Sequence, residues 1–440
     1  MIYYPDQRNK CDLLSYDAVR NSLSLDPDGK ITASTAFAGI NYKIDRSKLL
    51  LTLAITALGL AGRSSVDKIL ALRGGAELVA LWAQLSSVIE MIAGVALAGV
   101  GAGLSVLVAQ TSRPERQQLF LRRALVLGFC VSLPLALASG VVGALFPEAF
   151  GGSAPAARGF ALAAVAGCAA MVHGLVNNFW LGQQRRERML ALAAVLALLS
   201  LSAAALSPHG LLMEMLVLSQ AAPALVLLLV PHRAQASARA EDHALQRYVL
   251  PGIVVGILSP ASMLVARGVV GESLSWHDSG VLQAVWRISD WVCGLAAGVL
   301  TVLYLPRFAS AHATSGMRRA VREAAITVLL PSALLFALLF ALHRPLLAVL
   351  YDPSFQAPPV AVALLFTGSL VRIASWIALF ALYAALRTRA IALGELFSLP
   401  LFAALAFAAG DALTLEKVGL FWLLAFAAYT AFNCWALRRI

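Results

Sequence analysis

Nine charged residues interrupt otherwise apolar stretches of this chain: Arg63, Asp67, Lys68, Glu90, Arg267, Arg287, Asp290, Arg372 and Glu395. A charge held in hydrocarbon is costly, so such residues pair with one another, face a watery cavity or serve a ligand. Five of the nine are basic, and a cationic pocket within a membrane suits an anionic substrate. Arginine adds a planar fork that matches phosphate oxygens in pairs. Arg63, Lys68, Arg267, Arg287 and Arg372 are therefore candidates for substrate binding. Asp67, Glu90, Asp290 and Glu395 are candidates for ion coupling or for salt bridges within a cleft. Plainer roles compete. Lys68 and Arg267 lie near enough to span ends to snorkel. Arg287 and Asp290 are three apart on one helix and can neutralise each other. Glu395 can act as an anion at a helix N-terminus. Arg372 has no acid within a turn and needs a partner on another helix or a ligand. His173 and Asn177 share a helix face at i, i+4, a spacing that fits interhelical hydrogen bonding as well as a proton relay.

The elements that must position these residues follow from composition. The 440 residues are 60% hydrophobic and 13% charged, with a mean hydropathy of +0.80. Soluble domains average roughly 45–50% apolar and about 25% charged. This composition excludes a soluble enzyme, a nucleic-acid-binding domain and a disordered chain, and leaves a polytopic helical membrane protein. The net charge of +11 fits a cytoplasmic Lys/Arg excess. The five cysteines are scattered, with no metal-binding or disulfide spacing, and read as small apolar fillers. Trp82, Trp180, Trp276 and Trp422, near span ends, fit interfacial belts.

A span needs about 20 apolar helical residues. Twelve stretches qualify: 49–71, 78–109, 124–147, 159–182, 189–207, 211–231, 249–270, 280–305, 324–342, 359–386, 390–410 and 418–437. With the N-terminus inside, the inner loops carry eighteen arginines, from Arg113 to Arg439. The outer loops carry only Arg73, Arg158, Arg344 and Lys417. That asymmetry fixes an even number of spans with both termini cytoplasmic.

The chain also repeats at an offset near 200. Glu90-Met-Ile-Ala-Gly94 in the second span matches Asp290-Trp-Val-Cys-Gly294 in the eighth. The expected fold is all-α: twelve transmembrane helices in two six-helix lobes in parallel repeat. The expected organisation is a polar cytoplasmic tail over 1–47, with no signal-peptide h-region, and an N-terminal lobe over 48–231. A cytoplasmic linker follows over 232–248, then a C-terminal lobe over 249–440. Most of the tail is expected to be disordered.

A membrane enzyme of glycan assembly, a polymerase or ligase, is disfavoured by short outer loops. Glu272, His277 and Asp278 lack a third ligand at metal spacing. No Walker A, GxGxxG or HExxH motif occurs, and no cofactor is expected. A drug/cation antiporter is a further alternative, though acids should then dominate the cleft.

Ser275-Trp276-His277-Asp278-Ser279-Gly280, followed by Gln283, Val285 and Ile288-Ser289-Asp290, resembles a stretch of the Wzx-type lipid-linked oligosaccharide flippases. The nearest branch is the lipid III flippases of enterobacterial common antigen synthesis. Leu305-Pro306, Phe355, Glu395 and Lys68 fit the same pattern. The resemblance covers about 45–440. It departs from the pattern at Trp286 and Arg287, where that branch has small polar residues, at His277 in place of an acid, and in the tail. It implies the twelve-span, two-lobe MATE-like architecture of the MOP exporter superfamily, in a bacterial inner membrane. The implied activity is transfer of undecaprenyl-pyrophosphate-linked oligosaccharide from the cytoplasmic to the periplasmic leaflet, with no catalytic residues. Implied partners are that glycan, membrane lipids, an H+ or Na+ counter-ion and glycan polymerase or chain-length proteins, with no nucleic acid.

Overall fold

The computed structural model describes 23–25, 31–33, 46–111, 113–145, 154–229, 245, 249–305, 307–308, 311, 316–385 and 387–439. The expected linker over 232–248 lies outside the described residues except for Leu245. So does the tail, apart from its last two residues and a small antiparallel hairpin, Leu23–Leu25 (β1) paired with Ile31–Ala33 (β2). Where the sequence suggests a disordered tail, these six residues form a two-stranded ladder.

The described residues build the twelve expected helices. Helix Arg46–Ala96 breaks at Gly74 and at Gly75, where φ is 68° and ψ is −161°. That conformation is open essentially to glycine alone. The break separates α1 (46–73) from α2, which runs from 76 through a π-helical turn at Leu97–Gly101 to Ala109. The first lobe continues with α3 (Pro114–Leu145), α4 (Ala154–Gly182), α5 (Arg186–Leu206) and α6 (Leu212–Leu229). The second lobe opens with α7 (Val249–Ser273) and α8 (Trp276–Val299), which runs on through a second π turn at Leu300–Tyr304. It continues with α9 (317–341) and α10 (Pro359–Ala384). Then come α11, from Thr388 to Ala409, and α12 (Leu415–Leu437). The π turns of α2 and α8 fall at matching places in the repeat.

Association of helices in lipid rests on close packing rather than on the hydrophobic effect. In the N-terminal lobe α4 is the central helix, packed against α2, α3 and α6; in the C-terminal lobe α10 packs against α8, α9 and α12. Val126, Leu133, Leu137 and Val141 point outward from α3, the apolar surface that lipid solvates. The lobes meet where α1 and α2 pack against α7 and α8. Glycines set that crossing. A Cβ on Gly256 of α7 would lie 2.3 Å from the Gly94 carbonyl oxygen, and one on Gly252 would lie 2.3 Å from Gly99 Cα.

Two of the four tryptophans assigned to interfacial belts are not in them. Trp82 and Trp422 are buried, and Trp422 Nε1 donates to Ser369 Oγ at 3.1 Å. An indole with an internal acceptor can leave the interface.

Candidate functional site

The seam between lobes carries four of the nine intramembrane charges, Asp67, Lys68, Arg267 and Arg287. Asp67 on α1 and Arg287 on α8 form a buried ion pair, Nε to Oδ2 at 2.7 Å, that joins the two lobes. Arg287 thus pairs across the seam and not with Asp290 on its own helix. Asp67 and Lys68 are successive residues and point in different directions. The Lys68 ammonium donates to the carbonyls of Val349 (2.9 Å) and Tyr351, at the C-terminal end of a short outer helix, His343–Leu350. A cation is favoured there because the last helical carbonyls carry partial negative charge. Beside it, the exposed Asp352 accepts from the Ser354 backbone N–H, which holds its carboxyl below the usual range. Burial pushes the neighbouring Tyr351 phenol well above its ordinary range.

Arg267 of α7 does not snorkel. It is buried, donates to the Ala83 carbonyl (3.3 Å) and the Ser87 hydroxyl on α2, and lies 5.8 Å from the Trp286 ring centroid. Gln84 Nε2 donates to the Leu264 carbonyl at 3.2 Å, and Trp291 Nε1 to Ser64 Oγ at 3.0 Å. Near the outer ends, a Cβ on Gly280 of α8 would overlap the Ala76 carbonyl. The outer half of the seam is thus a continuous set of contacts between lobes.

Two other ion pairs stay within a lobe, and their acids, though not their arginines, occupy repeat-related places. Glu90 of α2 meets Arg63 of α1 at 3.3 Å, and Asp290 of α8 meets Arg372 of α10 at 3.2 Å. Arg372 also lies over the rings of Trp376 (4.7 Å), Phe426 (5.5 Å) and Trp422 (5.7 Å), an aromatic cage that fixes its guanidinium. The i, i+4 spacing of Arg372 and Trp376 is a sequence signal for the first of these contacts.

Glu395 has a different environment. Its carboxylate accepts from the Tyr429 hydroxyl at 2.8 Å and from Ser398 Oγ at 3.4 Å. It sits where α11 tightens into a 3-10 turn, Glu395–Phe397, and is interrupted at Ser398. The adjacent Asn433 of α12 is fully buried, and neither side-chain polar atom has a partner.

Five cations set against Asp67, Glu90 and Asp290 leave Lys68 and Arg267, whose partners are carbonyls and a hydroxyl. The structure brings Asp67, Lys68, Arg267 and Arg287 to the outer seam and keeps Arg372 in the C-terminal lobe. Arg63 and Glu90 stand on the wall of a cavity of about 380 Å3 in the N-terminal lobe. His173, Ser86, Ser200 and Gln220 also line it, and of these the sequence singles out only His173. The motif around Ser275 has a local explanation. Ser275 caps α8, accepting from the Asp278 N–H at 3.0 Å, while its hydroxyl donates to the Asp278 carboxylate at 2.6 Å. This is a serine N-cap whose hydroxyl also bonds the acid three residues on, and it occupies Asp278.

Twelve membrane helices in two repeat-related lobes, meeting along α1, α2, α7 and α8, define the MATE/MOP transporter fold. An inward-facing multidrug resistance MATE family transporter of the MOP superfamily superposes with a TM-score of 0.66 at 14% identity, over 89% of this chain and 97% of that one. The lipid II flippase MurJ in an inward closed conformation gives 0.64 at 14% identity, over 88% and 87%. An outward-facing MATE family transporter gives 0.55 at 15% identity, over 89% and 97%. No protein-family model and no curated protein sequence matches the chain.

Proposed function

We propose that this multi-pass membrane protein is an alternating-access flippase of a bacterial inner membrane. It carries undecaprenyl-pyrophosphate-linked oligosaccharide from the cytoplasmic to the periplasmic leaflet. The observation that carries this reading is the excess of cationic side chains over acids at the seam between lobes. The fold shared with MurJ, described as a lipid II flippase, supports it. The pyrophosphate is bound by Arg372 and by Lys68, Arg267 and Arg287 once the lobes part, with Arg63 nearby. Of the four acids, Glu395 alone bonds to neutral hydroxyls among the partners described above. It is therefore the acid a coupling proton can visit, while Arg63, Arg287 and Arg372 hold the other three.

Complementation of a flippase-null bacterium, scored by surface glycan, tests the reading, with Arg372→Ala beside the native chain at equal expression. Rescue by the native chain and loss in the variant are expected. Normal transport by Arg267→Ala, Arg287→Ala and Arg372→Ala alike would sink the cationic-cleft mechanism.

One observation favours a MATE-type drug/cation antiporter. The side chains of Glu90 and Asp290 are about half exposed, at 51% and 42%, against 11% for Arg287. Drug efflux without glycan rescue would select that reading.

A further inference from the structure

The N-terminal-lobe cavity is a concave site beside the seam, with which it shares Gly94 and Arg287. Its floor and sides are small residues of α1, α2, α4 and α5, including Gly62, Gly94, Gly174 and Ala197. Small side chains on four helices leave room, and about 380 Å3 falls within the ~300–1,000 Å3 of small-ligand sites. The wall is mostly apolar and includes the side of Trp82, with a few polar groups set into it.

Those polar groups are mixed in kind and balanced in charge. Arg63 and Glu90 form one contact at 3.3 Å, and both side chains are more than half exposed. A guanidinium has five N–H donors and a carboxylate about four acceptor positions, so most of that capacity is unspent. His173 also lines the cavity, its Nε2 fully buried and without a hydrogen-bond partner. Gln220 Nε2 donates to Ser200 Oγ at 2.6 Å, which orients an amide and a hydroxyl along the same wall. Arg287 also reaches the lining, but Asp67 neutralises it.

A ligand for this site must offer donors and acceptors together, carry no net charge and present an apolar face to Trp82. The Arg63–Glu90 pair presents no net charge to an ion here, while the amide and hydroxyl beside it suit a neutral polar ligand. From this arrangement we infer that the N-terminal-lobe cavity binds a neutral pyranose ring. Each of its hydroxyls both donates and accepts, and its C–H face packs on an indole. Arg63 and Glu90 bridge adjacent hydroxyls, and Gln220 with Ser200 closes the far side. The inference rests on the reading of the chain as a glycan-lipid transporter and adds where one sugar of the headgroup sits. Charge recognition belongs to the seam, and sugar identity to this cavity.

The test uses the full chain in nanodiscs and saturation-transfer NMR, with N-acetylglucosamine, glucose and glucuronate as probes. Saturable binding of at least one neutral sugar, with glucuronate excluded, is expected. Glu90→Gln and Gln220→Leu should each weaken it about tenfold, the size of one lost charge-assisted hydrogen bond. Ser86→Leu, which fills the cavity without touching a charge, should abolish it. Leu137→Ala, on the outward face of α3, should leave it unchanged, which also controls for folding. If no neutral sugar binds the folded chain, or if Glu90→Gln, Gln220→Leu and Ser86→Leu all bind like native, the assignment is wrong. Parallel complementation separates the two ideas. Glycan rescue by Ser86→Leu would overturn a headgroup-sugar role while leaving the flippase reading intact. Sugar binding by a native chain that does not rescue would keep the cavity and remove the flippase. Loss of both binding and rescue in Ser86→Leu and Gln220→Leu would place the bound sugar on the transported lipid. Loss of binding alone would place a free sugar there.

Discussion

The Asp67–Arg287 pair shows what a single interaction can decide in this molecule. Both groups leave water to form it, and a buried pair repays that desolvation only when geometry is good. Removing one partner strands a charge and costs about 3–5 kcal/mol, while replacing both with apolar residues of similar volume is often neutral. Asp67→Asn and Arg287→Met should therefore each lower the melting temperature sharply, and Asp67→Leu with Arg287→Met should restore most of it. A double variant as unstable as the sum of the singles would mean that the pair is not a coupled unit. Glu395 makes the opposite prediction. Glu395→Gln keeps an acceptor for Tyr429 and Ser398, so the fold should hold while transport in proteoliposomes loses its response to an imposed pH gradient. An undiminished response would remove Glu395 from coupling. The nine charges are legible in the sequence because hydrocarbon flanks them. Their partners are not, since Asp67 and Arg287 stand 220 positions apart and only the meeting of the lobes joins them. The cavity's Ser86, Ser200 and Gln220 carry no such signal, because a serine or glutamine in an apolar helix looks like ordinary interhelical packing.

Helices carry the next level of constraint. Hydropathy and the alternation of arginines locate twelve spans, since a bilayer demands both. They also bracket the break between α1 and α2, which falls in the gap between 71 and 78, though they do not show that helix runs right up to Gly74 and on from Gly75. Gly75→Ala places a Cβ in a backbone conformation that costs about 1–3 kcal/mol for other residues. It should lower thermal stability by that amount, and an unchanged melting curve would show that the turn relaxes freely. The α2–α7 crossing is stricter. At Gly256 a methyl group would overlap the α2 backbone, so Gly256→Ala has to separate the two helices. Glycine repeats in the second and eighth spans suggest close approach from sequence. The glycines that make the contact from the other side, Gly252 and Gly256, emerge only from the packing. The matched π turns at Leu97–Gly101 and Leu300–Tyr304 follow the same logic, since a single extra residue per turn leaves no trace in periodicity.

At the scale of the whole molecule, the contacts fix which face is shut. On the α1–α8 side they run from Lys68 and the short outer helix, through Asp67–Arg287 and Ser64–Trp291, to Leu60 against Gly294. Beyond that point towards the inner face, a Cβ added to Gly59 or Gly298 would meet no neighbouring helix within 4 Å, and Gly59 lines the cavity. The lobes are thus joined outside and apart inside on this flank, while α2 and α7 stay in contact down to Gly99 and Gly252. Opening to the outside must break the Lys68 contacts and the Asp67–Arg287 pair together, which frees both cations. A gate built from the same cations that would bind an anion can trade one for the other. An anion arriving from inside would compete with Asp67 and with the carbonyls of Val349 and Tyr351, and so weaken the outer closure. This predicts a labelling pattern. In a chain whose five native cysteines are replaced by serine, Gly59→Cys should react with a membrane-impermeant maleimide from the cytoplasmic face and not from the outer face. Adding Lys68→Met and Asp67→Asn should make it react from both. Reaction from outside alone in the unaltered gate would reverse the assignment of the closed face.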